Sequence, residues 1–361
     1  MNDKTLDYNG FIYTNGGIKS ETIQIPETLY KYYSLSEYSI DAFIHKYVYF
    51  SHPNQLNDLL DSSQLLLNLK DCDEKYYENF KKALFKIPEF NFNSVLSYEE
   101  EKGNLFRNIA EIIYLEHFKK FGILSLTNSP FNNLMMPHYT NERGFILEFD
   151  IKNFKKNFKI DSSDYLDIFP VNYVNEIKPI NYFQNITRSI NKTKCGIYEE
   201  INDTIPFLYL LSIKDRCWKY ENEWRILLFK NDLGNINSPL DFNSQETKSE
   251  RKIEYVQDSI KKIILGPLFF NREIFKSEKI NKKITYNLRN KIINKKKYII
   301  DFLFQISSSE FKHKVFIQNI EINEDGQRRF CQNLENITFD NYSFSFTLKP
   351  SKYYIIESHK Q

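Results

Sequence analysis

The chain has 361 residues, 41% hydrophobic and 27% charged, enough to bury a sizeable core as one large domain or as a main domain with an appendage. Lys and Arg number 49 against 47 Asp and Glu, a net charge of +2, so no global field draws the molecule onto DNA or an anionic membrane. No apolar run approaches the roughly 18 to 20 residues of a membrane helix. Met1-Asn2-Asp3-Lys4 does not open a secretory signal, and Cys72, Cys195, Cys217 and Cys331 have no metal-type spacing; a reducing cytoplasm is the expected setting.

Residues 1 to 25 carry Asn15-Gly16-Gly17 between the short runs Phe11-Ile12-Tyr13 and Thr22-Ile23-Gln24-Ile25, which predicts an N-terminal arm or hairpin ended by Pro26. Leu29 to Tyr33, a short helix from Ser36, and a strand over Tyr47 to Ser51 follow. His52-Pro53-Asn54 breaks that strand, and Asn57 and Asp58 read either as turn and cap residues or as part of a site. Helical spacing is expected from Asp73 to Lys86 and again from Tyr98 to Phe121, with Gly122 at a left-handed cap. These two helices are predicted to pack on one side of a sheet.

Strands are then expected at Gly122 to Thr127, at Phe145 to Phe149 after the turn Asn141-Glu142-Arg143-Gly144, and at Phe169 to Tyr173. A helix is expected near Ile197 to Ile213. In Trp218-Lys219-Tyr220-Glu221-Asn222-Glu223-Trp224-Arg225-Ile226-Leu227-Leu228-Phe229 the alternation predicts a strand with Glu221, Glu223 and Arg225 on one face, running on to Leu227 and Phe229. A polar cleft leading into apolar core has that pattern, and so does a salt-bridged strand end in which Arg225 merely neutralises a glutamate. Ile260 to Leu265 is a further strand. A basic run, Arg272 to Lys297, is expected to form a helix over 271 to 283 with a solvated face; nucleic-acid contact through Lys295, Lys296 and Lys297 is conceivable but not favoured. Tyr298 to Ile306, Val315 to Ile322 and Tyr342 to Leu348 read as three more strands.

Several short motifs occur in a fixed order: Leu29-Tyr30-Lys31-Tyr32 after a proline; Asn57-Asp58-x-x-Asp61; Gly122-Ile123-Leu124-Ser125-Leu126-Thr127; Met136-x-His138-Tyr139 with Gly144-Phe145; Lys214-x-x-x-Trp218-x-Tyr220-Glu221-x-Glu223-Trp224-Arg225; and Ile263-Ile264-Leu265-Gly266. Together they resemble the bacterial domain-of-unknown-function family numbered 2971, over about residues 26 to 270. The chain departs from that pattern at Leu59, where the family usually has Pro, and at Met136-Pro137, where it usually has Trp.

The fold expected is α+β, a mixed, mostly antiparallel sheet with helices packed on one side. Its divisions are the arm 1–25, the core 26–270, and a C-terminal helix with accessory strands over 271–361 packed on the core. The arrangement is similar in layout to ADP-ribosyltransferases, which combine a basic residue on an early strand, a Ser/Thr strand and a Glu-x-Glu strand. That likeness implies NAD as a substrate, no permanently bound cofactor and no metal. Glu223 would stabilise the oxocarbenium character of the ribose and Glu221 would orient the acceptor, with His138 as a further catalytic candidate. Lys31, Ser125, Thr127, Tyr139, Arg225, Asn57 and Asp58 would bind substrate. The alternatives are a non-enzymatic nucleotide or protein sensor in bacterial conflict, and a metal-dependent nuclease or phosphoesterase drawing on Asp58, Asp61, His138, Glu221 and Glu223.

Overall fold

The computed structural model describes residues 4–20, 23–58, 60–68, 118–156, 165–193, 196–234, 248–323 and 326–353. The helix expected over 73 to 86, and all but residues 118–121 of the one expected over 98 to 121, lie outside them; Phe118–Lys120 form a 3-10 turn and Phe121 begins a strand. The protein is α+β, and its centre is an eleven-stranded sheet. In chain order the strands are β1 (Thr28–Tyr33), β2 (Phe121–Thr127), β3 (Phe145–Asp150), β4 (Tyr165–Pro170), β5 (Glu223–Phe229), β6 (Ile260–Leu265), β7 (Phe275–Ile280), β8 (Lys283–Leu288), β9 (Val315–Asn323), β10 (Gly326–Asp340) and β11 (Ser343–Leu348). Their spatial order is β7-β8-β11-β10-β9-β6-β3-β1-β2-β5-β4. Every neighbouring pair is antiparallel except β6 with β9, where Ile263 faces Val315 in parallel register.

Alternation along the central strands sends apolar side chains to both faces, as expected of strands buried on two sides. Leu124, Leu126, Leu147, Ile226 and Leu228 point to one face. There they meet Ile40 and Phe43 of helix α1 (Glu37–Ile44), the short helix expected from Ser36, which is its N-cap, and Ile299 and Phe302 of a C-terminal helix (Lys297–Ser307). Ile123, Phe169 and Leu227 point to the other face and meet a helix over Thr204–Ser212. The described helices thus cover both faces. Residues 205 to 212 of that second-face helix are all buried, because the N-terminal arm covers its outer side. The arm is a three-stranded meander whose Tyr13 hydroxyl accepts from Ser212 Oγ at 3.1 Å.

Several local expectations change. Residues 275 to 288 form the β7–β8 hairpin rather than a helix, with Asn281 left-handed at its turn. Strand β7 is one of the two sheet edges, and its exposed Lys276 and Lys279 discourage further strand pairing. Conversely, 298 to 306 is helical. Its β-branched content suggests a strand, but Ile299, Phe302, Leu303 and Ile306 recur at three and four and form one buried stripe. The helix expected from Ile197 is a strand, Gly196–Asn202, followed by the Thr204–Ser212 helix. Gly122 sits inside β2 and not at a left-handed cap: a Cβ there would come 2.7 Å from Phe50 Cβ. Gly144 closes the turn before β3, where a Cβ would stand 2.0 Å from the Tyr33 carbonyl oxygen. Among the described residues no helix is long and apolar enough to cross a membrane.

The sheet opens at its middle. Strands β1 and β2 share one bridge pair, Tyr30 with Thr127. Beyond it β2 turns to another partner: Ser51 N donates to Ile123 O at 2.8 Å and Ile123 N returns a bond to Ser51 O at 2.9 Å. Across the resulting gap Lys31 Nζ reaches Ser125 O at 3.3 Å, a side chain standing where a ladder bond would otherwise be.

Candidate active site

The gap between β1 and β2 leads to a cavity of about 220 Å³. The second-face helix runs directly into a short strand, Ile213–Asp215, which pairs in parallel with Asn172–Val174 and carries Lys214. A 3-10 turn, Arg216–Glu221, follows; Asp215 caps it by accepting from Cys217 N at 2.8 Å. Asn222 then takes a left-handed conformation, φ 44°, and β5 begins at Glu223. Glu221 is therefore not on the Glu223–Arg225 strand face, because the backbone reverses between the two glutamates. Thr127 Oγ1 fixes that reversal by donating to Glu221 O at 2.6 Å.

The two carboxylates converge instead on a lysine. Lys214 Nζ stands 2.6 Å from Glu221 Oε2, 3.2 Å from Glu223 Oε2 and 3.6 Å from Asp61 Oδ2. Arg225 donates through Nε to Glu223 Oε1 at 2.9 Å and through Nη1 and Nη2 to the two Asp61 oxygens at 2.8 and 2.5 Å. Its Nη1 also reaches the Leu211 carbonyl at 2.7 Å. Lys214 and the side chains of Arg225 and Asp61 are at most 2% exposed. Three carboxylates against two cations leave one net negative charge when all are ionised.

This environment pushes the two glutamates apart. Burial would raise Glu223, but Arg225 and Lys214 outweigh it and hold the carboxyl well below its ordinary range. Burial raises Glu221 and prevails over the attraction of Lys214. Lys214 remains a firm cation because Glu223, Asp61 and Glu221 overcome its desolvation. Burial lowers Lys31 to about 8 against the pull of Glu223. Tyr139 donates to Glu221 Oε1 and accepts from Asn57 Nδ2 at 3.0 Å, and its own proton is held tightly by burial and by Glu221.

Of the residues singled out in the sequence, Lys31, Asn57, Ser125, Thr127, Tyr139, Glu221 and Glu223 line this one cavity. Arg225 lies behind them and orients Glu223. Two further candidates do not line it either. Asp58 is a turn residue whose Oδ1 accepts from Leu60 N at 3.1 Å. His138 is exposed, 3.1 Å from the Tyr220 hydroxyl and stacked beside Trp218 and Tyr139. It shares helix α2 (Met135–Thr140) with Tyr139, and neighbouring helical residues point about 100° apart; with Tyr139 turned inward, His138 faces out.

Sequence reasoning leaves Lys214 out of the site and brings Asp61 in only for the metal-dependent alternative, although both stand in the quoted motifs. The available signal for Lys214 was its position straight after the apolar run Ile205 to Ile213, where a lysine is buried and requires partners. Among the described residues no group of three or more His, Cys, Asp or Glu is arranged to hold a metal ion. The acidic oxygens here face Lys214 and Arg225, and Asp58 and His138 do not join them.

Residues 135–226 match the family described as Protein of unknown function (DUF2971). The match begins at α2 and ends in β5, so it contains Tyr139, Lys214, Glu221, Glu223 and Arg225, while Lys31, Asp61 and the β2 residues lie before it. No curated protein and no solved structure matches the chain.

Proposed function

We propose that the protein cleaves the nicotinamide–ribose bond of NAD and passes the ADP-ribosyl group to water or another acceptor. The observation that carries this reading is the buried, carboxylate-lined wall of a small cavity, whose two glutamates are biased in opposite directions and whose one excess negative charge is balanced by Lys31. A positively charged ring favours such a wall, and so does a ribose gaining oxocarbenium character. Carboxyl groups with protonation tendencies driven apart are the arrangement that divides charge stabilisation from proton transfer. In this scheme the C1′–N bond breaks and its electron pair goes to the nicotinamide ring, which leaves neutral. Glu223, held ionised, faces the developing charge on C1′. The acceptor oxygen bonds to C1′, and Glu221, whose proton affinity is raised, takes its proton. Lys31 stands at the cavity wall for a phosphate or ribose oxygen.

Purified protein incubated with NAD is expected to release nicotinamide, measured chromatographically. Binding of NAD in calorimetry with no release would favour the sensor reading, which has its own support: both Glu223 oxygens are already engaged by Arg225 and Lys214. Neither binding nor release would remove both.

The lowered Lys31 gives a pH signature. Its cation is half lost at about pH 8 and the loss deepens as pH rises further, so kcat/KM for NAD falls across that range in the free enzyme's profile. Lys31→Arg keeps its charge at all these pH values and is expected to abolish that limb. A limb unchanged in the variant assigns the ionisation to another group.

A further inference from the structure

The 220 Å³ cavity is below the roughly 300 to 1,000 Å³ that a whole small ligand occupies, so it accepts a fragment of a dinucleotide and not the entire molecule. A second cavity of about 640 Å³ adjoins it, and the two share Lys31 and Gln55 as wall residues. We infer that this larger cavity holds the adenosine-diphosphate half of the substrate, with the pyrophosphate passing Lys31 between the two; the inference rests on the NAD reading above.

The chemistry of the second cavity suits a nucleotide better than a bare anion. Lys31 lies at the divide and Lys252 on a further wall. The hydroxyls of Ser34, Ser36 and Ser39 lie within 3.0 to 3.4 Å of one another, and Tyr47 and Tyr49 add two phenols to the lining. Glu37 and Asp41 are also present, so phosphate meets no purely basic trap. Asp41 is engaged by the Tyr47 hydroxyl at 2.6 Å and by Lys252 at 3.7 Å, while Glu37 remains at the exposed side, where a carboxylate can accept from ribose hydroxyls. Tyr38, 66% exposed, offers a ring on which a base can stack. Charge, hydroxyl groups and an aromatic surface thus occur together, next to the cavity that faces the glutamates.

Two substrates separate this assignment from its premise: NAD, and nicotinamide mononucleotide, which lacks the adenylate half. Ser34 is exposed at the second cavity, so Ser34→Trp adds bulk there without disturbing the core. The full chain is expected to show a KM for NAD raised at least tenfold more than for the mononucleotide in this variant. Lys252→Glu is expected to act in the same direction. ADP, which has no nicotinamide, is expected to bind the wild type in calorimetry and to bind Ser34→Trp at least tenfold more weakly. Equal effects on the two substrates, or no ADP binding to the wild type, overturn the assignment. If neither substrate is cleaved but ADP binds and the variant loses it, the glycosidic reading falls and the nucleotide cavity stands.

Discussion

Replacing Arg225 by methionine is expected to lower the unfolding free energy by about 3 to 5 kcal/mol, the range for removing one partner of a buried ion pair. The side chain is 1% exposed and donates to Asp61, Glu223 and the Leu211 carbonyl. Methionine fills a similar length but leaves three carboxylates sharing Lys214 and a buried carbonyl without its donor. Desolvation decides the magnitude: an exposed pair such as Arg143 with Glu273 is worth only about 0 to 1 kcal/mol. Urea unfolding of Arg225→Met beside Arg143→Ala at pH 7 checks the contrast. Equal midpoints would mean that water reaches the cluster and that its ion pairs contribute as surface pairs do.

The sign of the acid response follows from the same cluster. Glu223 is held below its unfolded value, so its contribution is complete above about pH 4.3 and is lost as pH falls through the folded value. Glu221, held above its unfolded value, contributes in the reverse sense, fully below that pH and less as pH rises. The two partly cancel near pH 4 to 5, and Glu223 dominates at lower pH.

The second large effect concerns turnover. Glu223→Gln is expected to reduce nicotinamide release by a factor on the order of 10² to 10³, the loss seen when one preorganised group facing transition-state charge is removed. The amide keeps the shape and can still accept from Arg225 Nε, but it carries no charge to oppose the cationic ribose. The loss should fall on kcat, with KM for NAD within a few-fold of the wild type. The variant also leaves Lys214 and Arg225 with fewer anionic partners, so turnover is measured below the unfolding transition established in urea. A folded Glu223→Gln protein that releases nicotinamide at the wild-type rate removes Glu223 from the chemistry.

The strand Glu223–Phe229, the Ser125–Thr127 strand and Lys31 were legible because their spacing is local. Period-two alternation fixes which side chains share a face, and Arg225 does meet Glu223 at i, i+2. The pairing of Glu221 with Glu223 was read from the same rule for the wrong reason: Asn222 turns left-handed and the period ends at the strand boundary. Tyr298 to Ile306 misled in the opposite way, since β-branched composition competed with a three-and-four spacing, and burial against the sheet favoured the spacing. Lys214 and Asp61 carried weak signals of their own. A lysine after an apolar helix and an aspartate in a turn become a site only when strands far apart in the chain bring them within 4 Å.

By itself, then, the sequence determined the class of fold, the strands that carry the charged residues and the order in which they occur, since these depend on periodicities within a few residues. Tertiary structure alone decided that the sheet parts between β1 and β2, that Lys214 gathers three carboxylates, that Tyr139 turns in while His138 turns out, and that two cavities meet at Lys31. Those outcomes depend on desolvation and on contacts far apart in the chain, such as Arg225 with Asp61 across 164 residues, where a buried charge must find its partner wherever the fold places one.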